Sequence, residues 1–550
     1  MEFILELVYK SNNVVHRLFT DRPLSNNNIK LRVEGDESNL IIKVDPKYPI
    51  RIKSCKLTTR KSYDSTDKVF SNGYQSWSPG FEHSVTDHVR GLNNLPKQLI
   101  NHYAFESYGD YRFYNYRNST GLIHSNNYTF IRQEGEIELI GSLNERVAYT
   151  IFEHDTTTSN LYVYKDFDGV EIDSECELYN IISIFGNEDE VFDKYFQLLQ
   201  IPKPLAKPVL GYTSWYNYYQ EINEDIIVKD LEAITKSTVH YDVFQIDDGF
   251  ESKVGDWFDI DKTKFKNGLK PIVNKIHQAK MKAGIWLAPL IMEADSKLFK
   301  EHPEWAVTDE NNNPIKAGCN WSGSYGLNFS LAEVKQYVSD VLDYYLGLGF
   351  DFFKLDFLYA TAIFPYNNQS RSQIMYEAME FLRFKLKDKL ILGCGVNLFT
   401  AFGLVDYCRV SCDVSLSFDD KIYMRLLHQE RPSTKNAIKS VIYRRHLNNR
   451  AFLNDPDVFL LRKDNIQLSK DQKIALLKLN SIFGSVLFTS DNVADYNDKQ
   501  IELLNEAINL EITDLKVFND KGYIVIKYKS NNENFSLRYD PNKGKLVNNI

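Results

Sequence analysis

Between residue 209 and residue 491 one pattern recurs eight times: a short apolar run that ends in polar or aromatic residues. The runs are VLGYTSWY (209–216), YDVFQIDD (241–248), AGIWLAPL (283–290), FDFFKLDF (350–357), LILGCGV (390–396), DYCRVSCDVS (406–415), AFLNDPD (451–457) and SVLFTSD (485–491). Helical stretches separate most of them, among them EDIIVKDLEAITK, LKPIVNKIHQAKMKA, AEVKQYVSDVLDYYLGLG and RSQIMYEAMEFLRFKLKD. Gly347 and Gly349 stand where the third of these should end, as a helix C-cap glycine does. Strands alternating with helices call for parallel βαβ units, and eight units predict a closed (β/α)8 barrel. The third gap is far longer than the others and carries HPEWAVTDENNNPIKAGCNWSGSYGLNFS, which predicts a long loop over one barrel face. The fifth gap is short, which predicts a reduced helix.

The flanks read differently. Residues 1–200 hold short alternating stretches such as LRVEG, NLIIKVD, YTFIRQ and NLYVYKDF between Asn-, Gly- and Asp-rich turns, the signature of a β-sandwich. The segment 201–208 (IPKPLAKP) has three prolines, which remove backbone donors and mark a linker. The barrel is expected over 209–495, and a small C-terminal antiparallel β domain over 496–550, where LKVFND, YIVIKYK and FSLRYD alternate. A chain of 550 residues exceeds the about 250–300 residues that one core supports, so several domains fit.

Composition narrows the partners. A net charge of −9 without a basic block argues against nucleic acid. No apolar run approaches the about 20 residues that span a bilayer, and the first residues lack the parts of a secretory signal. The six cysteines are scattered without zinc spacing, so free thiols in a reducing cytoplasm are expected. Aromatics make up 13% of the chain, which suits β structure and equally a site that stacks on sugar rings.

Catalytic groups of such barrels sit at the C-terminal ends of the strands. Here those ends offer Trp215 and Tyr216, Asp247 and Asp248, Trp286, Lys354 and Asp356, Cys394, Arg409 and Asp413, then Asn454, Asp455 and Asp457. A single Asp at a strand end commonly caps a helix, but six acidic positions on one face with tryptophans describe a pocket for a polyol. Lys354 and Asp356 lie two apart on one strand and so share a face. The ammonium is expected to hold Asp356 anionic, which suits a nucleophile. Asp413 lies on another strand, four residues beyond Arg409. Glycoside hydrolysis needs two such carboxyl groups across the scissile bond. In the N-terminal part, FSNGYQSWS places Tyr74 and Trp77 in a loop-like context. Trp77 is either a core residue or an aromatic carried out to a ligand. Gly393 and Gly395 after a strand suggest a dinucleotide fingerprint, but Leu398 stands where its third glycine belongs.

The K-x-D of the fourth run with the R-x-x-x-D of the sixth resembles the α-galactosidases of glycoside hydrolase family 36. NGYQSWS, GYTSWYNYY, VFQIDDGFE with GDW, GIWLAP, HPEW, NW, FFKLDFLYA, ILGCG, CRVSCD and LNDPD extend the resemblance over almost the whole chain. It implies a (β/α)8 barrel between a large N-terminal β-sandwich and a C-terminal β domain, and a retaining double displacement on short α-galactosides of the melibiose or raffinose type. By position Asp356 matches the nucleophile and Asp413 the acid/base. Asp247 and Asp248 match the pair on the axial 4-hydroxyl and the 6-hydroxyl. Trp286 matches an aromatic wall, and Lys354 and Arg409 further contacts. Trp77 matches an aromatic sent in by the N-terminal domain, and Cys394 a residue near the sugar's 2-position. No metal or organic cofactor is implied, and the partner is a small carbohydrate. Ser411 and Cys412 stand where the family often has Gly-Pro, and the VSLSFDD segment after Asp413 is expected to shape the leaving-group side. Asn397 is a candidate contact for a 2-substituent, which keeps α-N-acetylgalactosaminides open. Galactosyl transfer, a non-catalytic sugar-binding protein and a homo-oligomer also stay open.

Overall fold

A computed structural model of the chain describes residues 2–36, 38–92, 95–107, 109–117, 119–419 and 430–547. Of the stretches named above, Asp420 and residues 548–550 lie outside the described residues.

The barrel strands are Val209–Thr213, Val243–Ile246, Lys282–Leu287, Phe352–Leu355, Leu390–Gly393, Tyr407–Arg409, a split seventh strand (Leu453–Asp455 and Val458–Phe459) and Val486–Thr489. Every pairing among them is parallel, and the first strand pairs with both the second and the eighth. The first piece of the seventh strand pairs with the sixth strand and the second piece with the eighth, which closes the ring. These strands are buried on both faces, as parallel strands covered by helices must be. Their side chains are therefore apolar without alternation, apart from the residues that serve the site.

The helices follow the expected places: Glu224–Thr235, Lys270–Gln278, Ala332–Leu348 and Arg371–Leu386. Asn223 and Ser370 cap two of them, each accepting a backbone N–H in the first turn. Gly349, at φ +96°, ends the third helix in the left-handed region, whereas Gly347 lies inside it. The helix in the fifth gap is a single turn, Leu398–Ala401. The long third gap is not plain loop. It folds into a small antiparallel sheet of Ile291–Glu293, Lys316–Gly318 and Ser324–Gly326, which delivers Cys319, Asn320 and Trp321 to the barrel mouth.

Two antiparallel sheets precede the barrel. Strand Ile4–Ser11 buries Leu5, Leu7 and Tyr9 on alternate positions, and Asn39–Pro46, in the other sheet, buries Leu40, Ile42 and Val44. Those two sets meet in one core, so the pair of sheets is a sandwich. After the barrel, Thr513–Asp520, Tyr523–Ser530, Glu533–Asp540 and Lys545–Val547 form a four-stranded antiparallel sheet. No described helix is long and apolar enough to cross a membrane, and the six cysteines are free.

Several cations tie the sandwich to the barrel, among them Arg371 on Asp166, Arg445 on Glu188 and, most deeply buried, Arg444. Arg444 is wholly buried. Its Nε donates to Asn72 Oδ1 at 3.1 Å, and Nη1 donates to the carbonyls of Ser76 at 3.1 Å and Val410 at 2.9 Å. Burial pushes the guanidinium down to about 10, still far above neutrality, so the charge stays and must be solvated by these oxygens. Arg444→Met removes three bonds to sandwich and barrel acceptors. We expect a loss of about 3 kcal/mol in denaturant stability. An unchanged denaturation midpoint would show that Arg444 does not carry this junction.

Candidate active site

One cavity of about 420 Å³ opens at the C-terminal ends of the barrel strands. Of the ten site residues named from sequence, eight line it: Trp77, Trp215, Asp247, Asp248, Trp286, Lys354, Asp356 and Asp413. The other two stand directly behind. Cys394 is 1% exposed, accepts a hydrogen bond from Trp77 Nε1 at 3.1 Å and hydrogen-bonds to Asp356. Arg409 is 3% exposed and reaches the cavity only through Asp413, whose Oδ1 lies 2.9 Å from its Nη1.

Asp356 follows the end of the fourth strand, where its backbone N–H still bonds Leu287 O at 2.8 Å. Its carboxylate accepts on both oxygens: Oδ2 from Trp286 Nε1 at 3.0 Å and Oδ1 from Phe357 N at 2.9 Å. Donors on both sides favour the ionised form. Its neighbour on the strand does not salt-bridge it as the sequence suggests. Lys354 Nζ sits 3.0 Å from Asp247 Oδ2, across the barrel on the second strand. That oxygen also accepts from Thr213 Oγ1 at 3.0 Å and Gln245 Nε2 at 2.6 Å. Burial is the dominant influence on Asp356 and pushes its carboxyl above the usual range, with Asp413 adding to the push and Lys354 opposing it. The expectation of an aspartate held anionic chiefly by Lys354 is thus corrected: the ammonium moderates a burial effect that exceeds it.

Asp248 is seated by neutral donors, Gln220 Nε2 at 3.1 Å and Trp321 Nε1 at 3.0 Å. Burial pushes its carboxyl up, and that of the adjacent Glu251 well up, because the two share one enclosed site. Trp77, Phe357, Trp321 and Trp286 form a continuous aromatic run, with successive ring centroids 5.0, 5.0 and 6.2 Å apart. Phe357 and Trp321 have φ of +54° and +56°, which is strained for non-glycine residues. Gly395, at φ +59°, lets Trp77 and Phe357 close in, since a Cβ there would lie 3.1 Å from each. The doubt over Trp77 resolves in favour of the cavity, and Tyr74 is the core member, edge-on to Tyr149 at 5.6 Å.

Other expectations fail. Asn397 does not face the cavity. It is 1% exposed, caps the helix Leu398–Ala401 by accepting from Thr400 N at 3.2 Å, and donates to Tyr74 O at 2.7 Å. Asp455 and Asp457 do not line the cavity either, but hold Arg409 from below at 2.8 and 2.9 Å. Gln220, Phe105 and the run Glu430–Pro432 line the cavity without having been singled out, and so do Asn320 and Trp321, which the resemblance included without a role. Trp321 sits in the same Asn/Gly/Ser context that marked Trp77, so the signal was present. Glu430 carried none. It is brought in by the sandwich, accepting from Ser78 Oγ and, at 3.1 Å, from Asp110 N.

Lys354→Met would leave Asp247 buried without its cation. Breaking a buried pair from one side costs about 3–5 kcal/mol. We expect a denaturant-stability loss of that order, largely recovered by adding Asp247→Asn. A single variant as stable as the parent would remove the pair from this account.

Residues 198–381 match the melibiase family model. The bifunctional α-galactosidase/sucrose kinase AgaSK of Mediterraneibacter gnavus is 30% identical over 200 residues, 34% of this chain and 20% of that protein. An α-galactosidase of Escherichia coli is 29% identical over 149 residues, 26% of this chain and 20% of that protein. The matches thus span about a fifth of these curated relatives. Among solved structures, the Thermus thermophilus α-galactosidase TtGalA superposes with a TM-score of 0.71 at 23% identity, over 96% of this chain and 98% of that one. The family 36 α-galactosidase AgaA of Geobacillus stearothermophilus gives 0.60 at 11% identity, over 97% and 81%. The chain thus matches the melibiase family model over the first half of its barrel and shares over nearly its whole length the fold of α-galactosidases, the family 36 enzyme AgaA among them.

Proposed function

We propose that the chain is a retaining exo-α-galactosidase acting on short α-galactosides. The observation that carries this reading is that Asp356 and Asp413 line one cavity with the Asp247/Asp248 pair and the aromatic run. Its volume lies within the about 300–1,000 Å³ of small-ligand sites. The Thermus protein has been solved with p-nitrophenyl α-D-galactopyranoside and with stachyose, and a Geobacillus AgaA variant with raffinose, which supports the same substrate class here.

Asp356 attacks C1 and the glycosidic C–O bond breaks, giving a galactosyl ester. Asp413 donates its proton to the departing oxygen. Water then attacks C1 while Asp413 takes its proton, and the ester C–O bond breaks, freeing Asp356. Two steps on opposite faces retain the configuration. The assignment follows the hydrogen bonds. Asp356 has N–H donors on both oxygens, so it starts ionised. The Asp413 side chain is 40% exposed, held by Arg409 through one oxygen only. The two carboxylates also feel each other. When Asp356 becomes a neutral ester its charge vanishes, and Asp413, having given up its proton to the leaving oxygen, is the base the second step needs.

Asp247 and Asp248 are seated by Lys354, Gln220 and Trp321, and they accept from the axial 4-hydroxyl and the 6-hydroxyl. The capping role of Asn397 leaves no support for its reading the 2-position, so a galactoside is preferred to an N-acetylgalactosaminide. The same two carboxylates would serve galactosyl transfer if a sugar replaced the water.

Asp356→Ala should lower turnover of an aryl α-galactoside by about 10⁴-fold or more, with the wild-type product released as the α-anomer in a proton NMR time course. A β-anomer as first product would overturn retention. In kcat/KM, the galactoside should exceed the matching glucoside and N-acetylgalactosaminide; parity with the glucoside would remove the roles given to Asp247 and Asp248, and parity with the N-acetylgalactosaminide would remove the preference at the 2-position. The pH sign follows from Asp356. Its folded carboxyl is raised, and the enzyme needs it ionised, so activity is lost as pH falls through that raised value. The acid limb of kcat/KM should therefore lie above the about 3.9 of a free aspartate. Lys354→Met should move it higher still, and a limb at the ordinary aspartate value would contradict the burial account.

A further inference from the structure

One buried aspartate beside Asp413 has no part in these steps. Asp457 is 1% exposed and lies just past the first piece of the seventh barrel strand, at φ +75°. Its Oδ2 accepts the backbone N–H of Val414 at 2.7 Å and the hydroxyl of Tyr216. Its Oδ1 lies 2.9 Å from Arg409 Nη2. The same guanidinium meets Asp413 through Nη1 at 2.9 Å and Asp455 through Nε at 2.8 Å. Asp457 therefore holds Asp413 in two ways: by the peptide that follows it, and by the cation on its carboxylate.

We propose that Asp457 is a positioning residue for Asp413, fixing the peptide at Val414 and setting how much of the Arg409 charge Asp413 feels. This rests on the acid/base reading of Asp413. One guanidinium shared by three carboxylates pulls on each less than it would alone. An ionised Asp457 takes a share of the Arg409 charge that Asp413 would otherwise feel alone. A neutral group at 457 leaves more of the Arg409 charge on Asp413.

The charged and titratable groups around Asp457 are Arg409, Asp413, Asp455, Tyr216 and Cys412, with Lys354 lining the same small cavity. Asp413 faces Asp356, Asp457, Arg409, Cys394, Cys412, Tyr216 and Tyr219. Burial, with Arg409 opposing it and Asp413 and Asp455 adding to it, pushes the Asp457 carboxyl up to about 7. Asp457 does not line the substrate cavity, so whatever it does passes through Asp413 and Arg409.

Asp457→Asn is the discriminating variant. Asn tolerates the left-handed backbone, and its amide oxygen can still accept from Val414 and Tyr216, so chiefly the charge facing Arg409 is lost. KM should stay within about twofold, while kcat falls about tenfold on melibiose, whose leaving group needs the proton, and less than about threefold on an aryl galactoside. The alkaline limb of kcat/KM should move down by about half to one pH unit. An equal loss on both substrates with no movement of the limb is what a merely structural residue gives, and would overturn the proposal. Asp413→Asn, measured alongside, separates the two readings. Lost melibiose turnover there, with wild-type behaviour in Asp457→Asn, refutes the positioning role alone. Intact melibiose turnover in Asp413→Asn refutes the acid role itself. Should Asp457→Asn not fold, Arg409→Lys tests the same point, because an ammonium cannot fork to three carboxylates. It should reproduce the split between substrates, and a wild-type limb would overturn the proposal.

Discussion

Two buried cations, Lys354 and Arg409, face six aspartates at the mouth of the barrel. That imbalance governs the site. A buried carboxylate without compensation costs several kcal/mol, so each must find a cation, a set of neutral donors or a proton. Lys354 is committed to Asp247, and Arg409 is divided among Asp413, Asp455 and Asp457. Asp248 and Asp356 are left to indole, amide and backbone N–H groups. A pocket built this way keeps acceptors in reserve for sugar hydroxyls, and it keeps the carboxyl of Asp356 above the ordinary range until a cationic centre forms beside it.

The sandwich belongs to this site as much as the barrel does. Trp77 reaches the cavity from a loop whose neighbours are fixed to the barrel: Ser76 N donates to Val396 O at 2.9 Å, Gly395 N to Ser76 Oγ at 2.8 Å, and Arg444 spans both parts. The aromatic run then continues through Phe357 and Trp321, both held at positive φ. Strain of about 1–3 kcal/mol at each such residue persists only where the surroundings enforce it. Here the surroundings are a loop of the sandwich, the end of the fourth strand and the small sheet of the third gap. The wall is rigid because three separate parts of the chain define it.

Much of this was legible in the sequence. The barrel was, because eight apolar runs separated mostly by helical stretches have few other ways to bury both faces. The two carboxylates and the Asp247/Asp248 pair were, because strand ends in such a barrel point to one mouth. Trp77 was half legible, since a loop-like context marks an aromatic without saying which way it turns. Trp321 carried the same mark and was given no role. Asn397 was misread because a polar residue just after a strand end serves equally as a contact or a helix cap, and spacing does not separate the two. Glu430 was invisible, because nothing local announces a carboxyl that another domain will enclose.

The sequence by itself determined which groups are present and on which side of each strand they fall. Strand periodicity and the parallel βαβ rule are local, so Lys354 and Asp356 were placed on one face before any coordinates. What only the tertiary structure decided is which charge answers which. Lys354 has a neighbour of opposite sign two positions away in the chain, yet its partner lies two strands over on Asp247, and Arg409 reaches Asp413 within its own segment but also Asp455 and Asp457 on the next strand. The reason is that pairing between buried charges depends on distance and desolvation in three dimensions. Once the ring of strands closes, the shortest dry path to a counter-ion runs across the barrel, not along the chain.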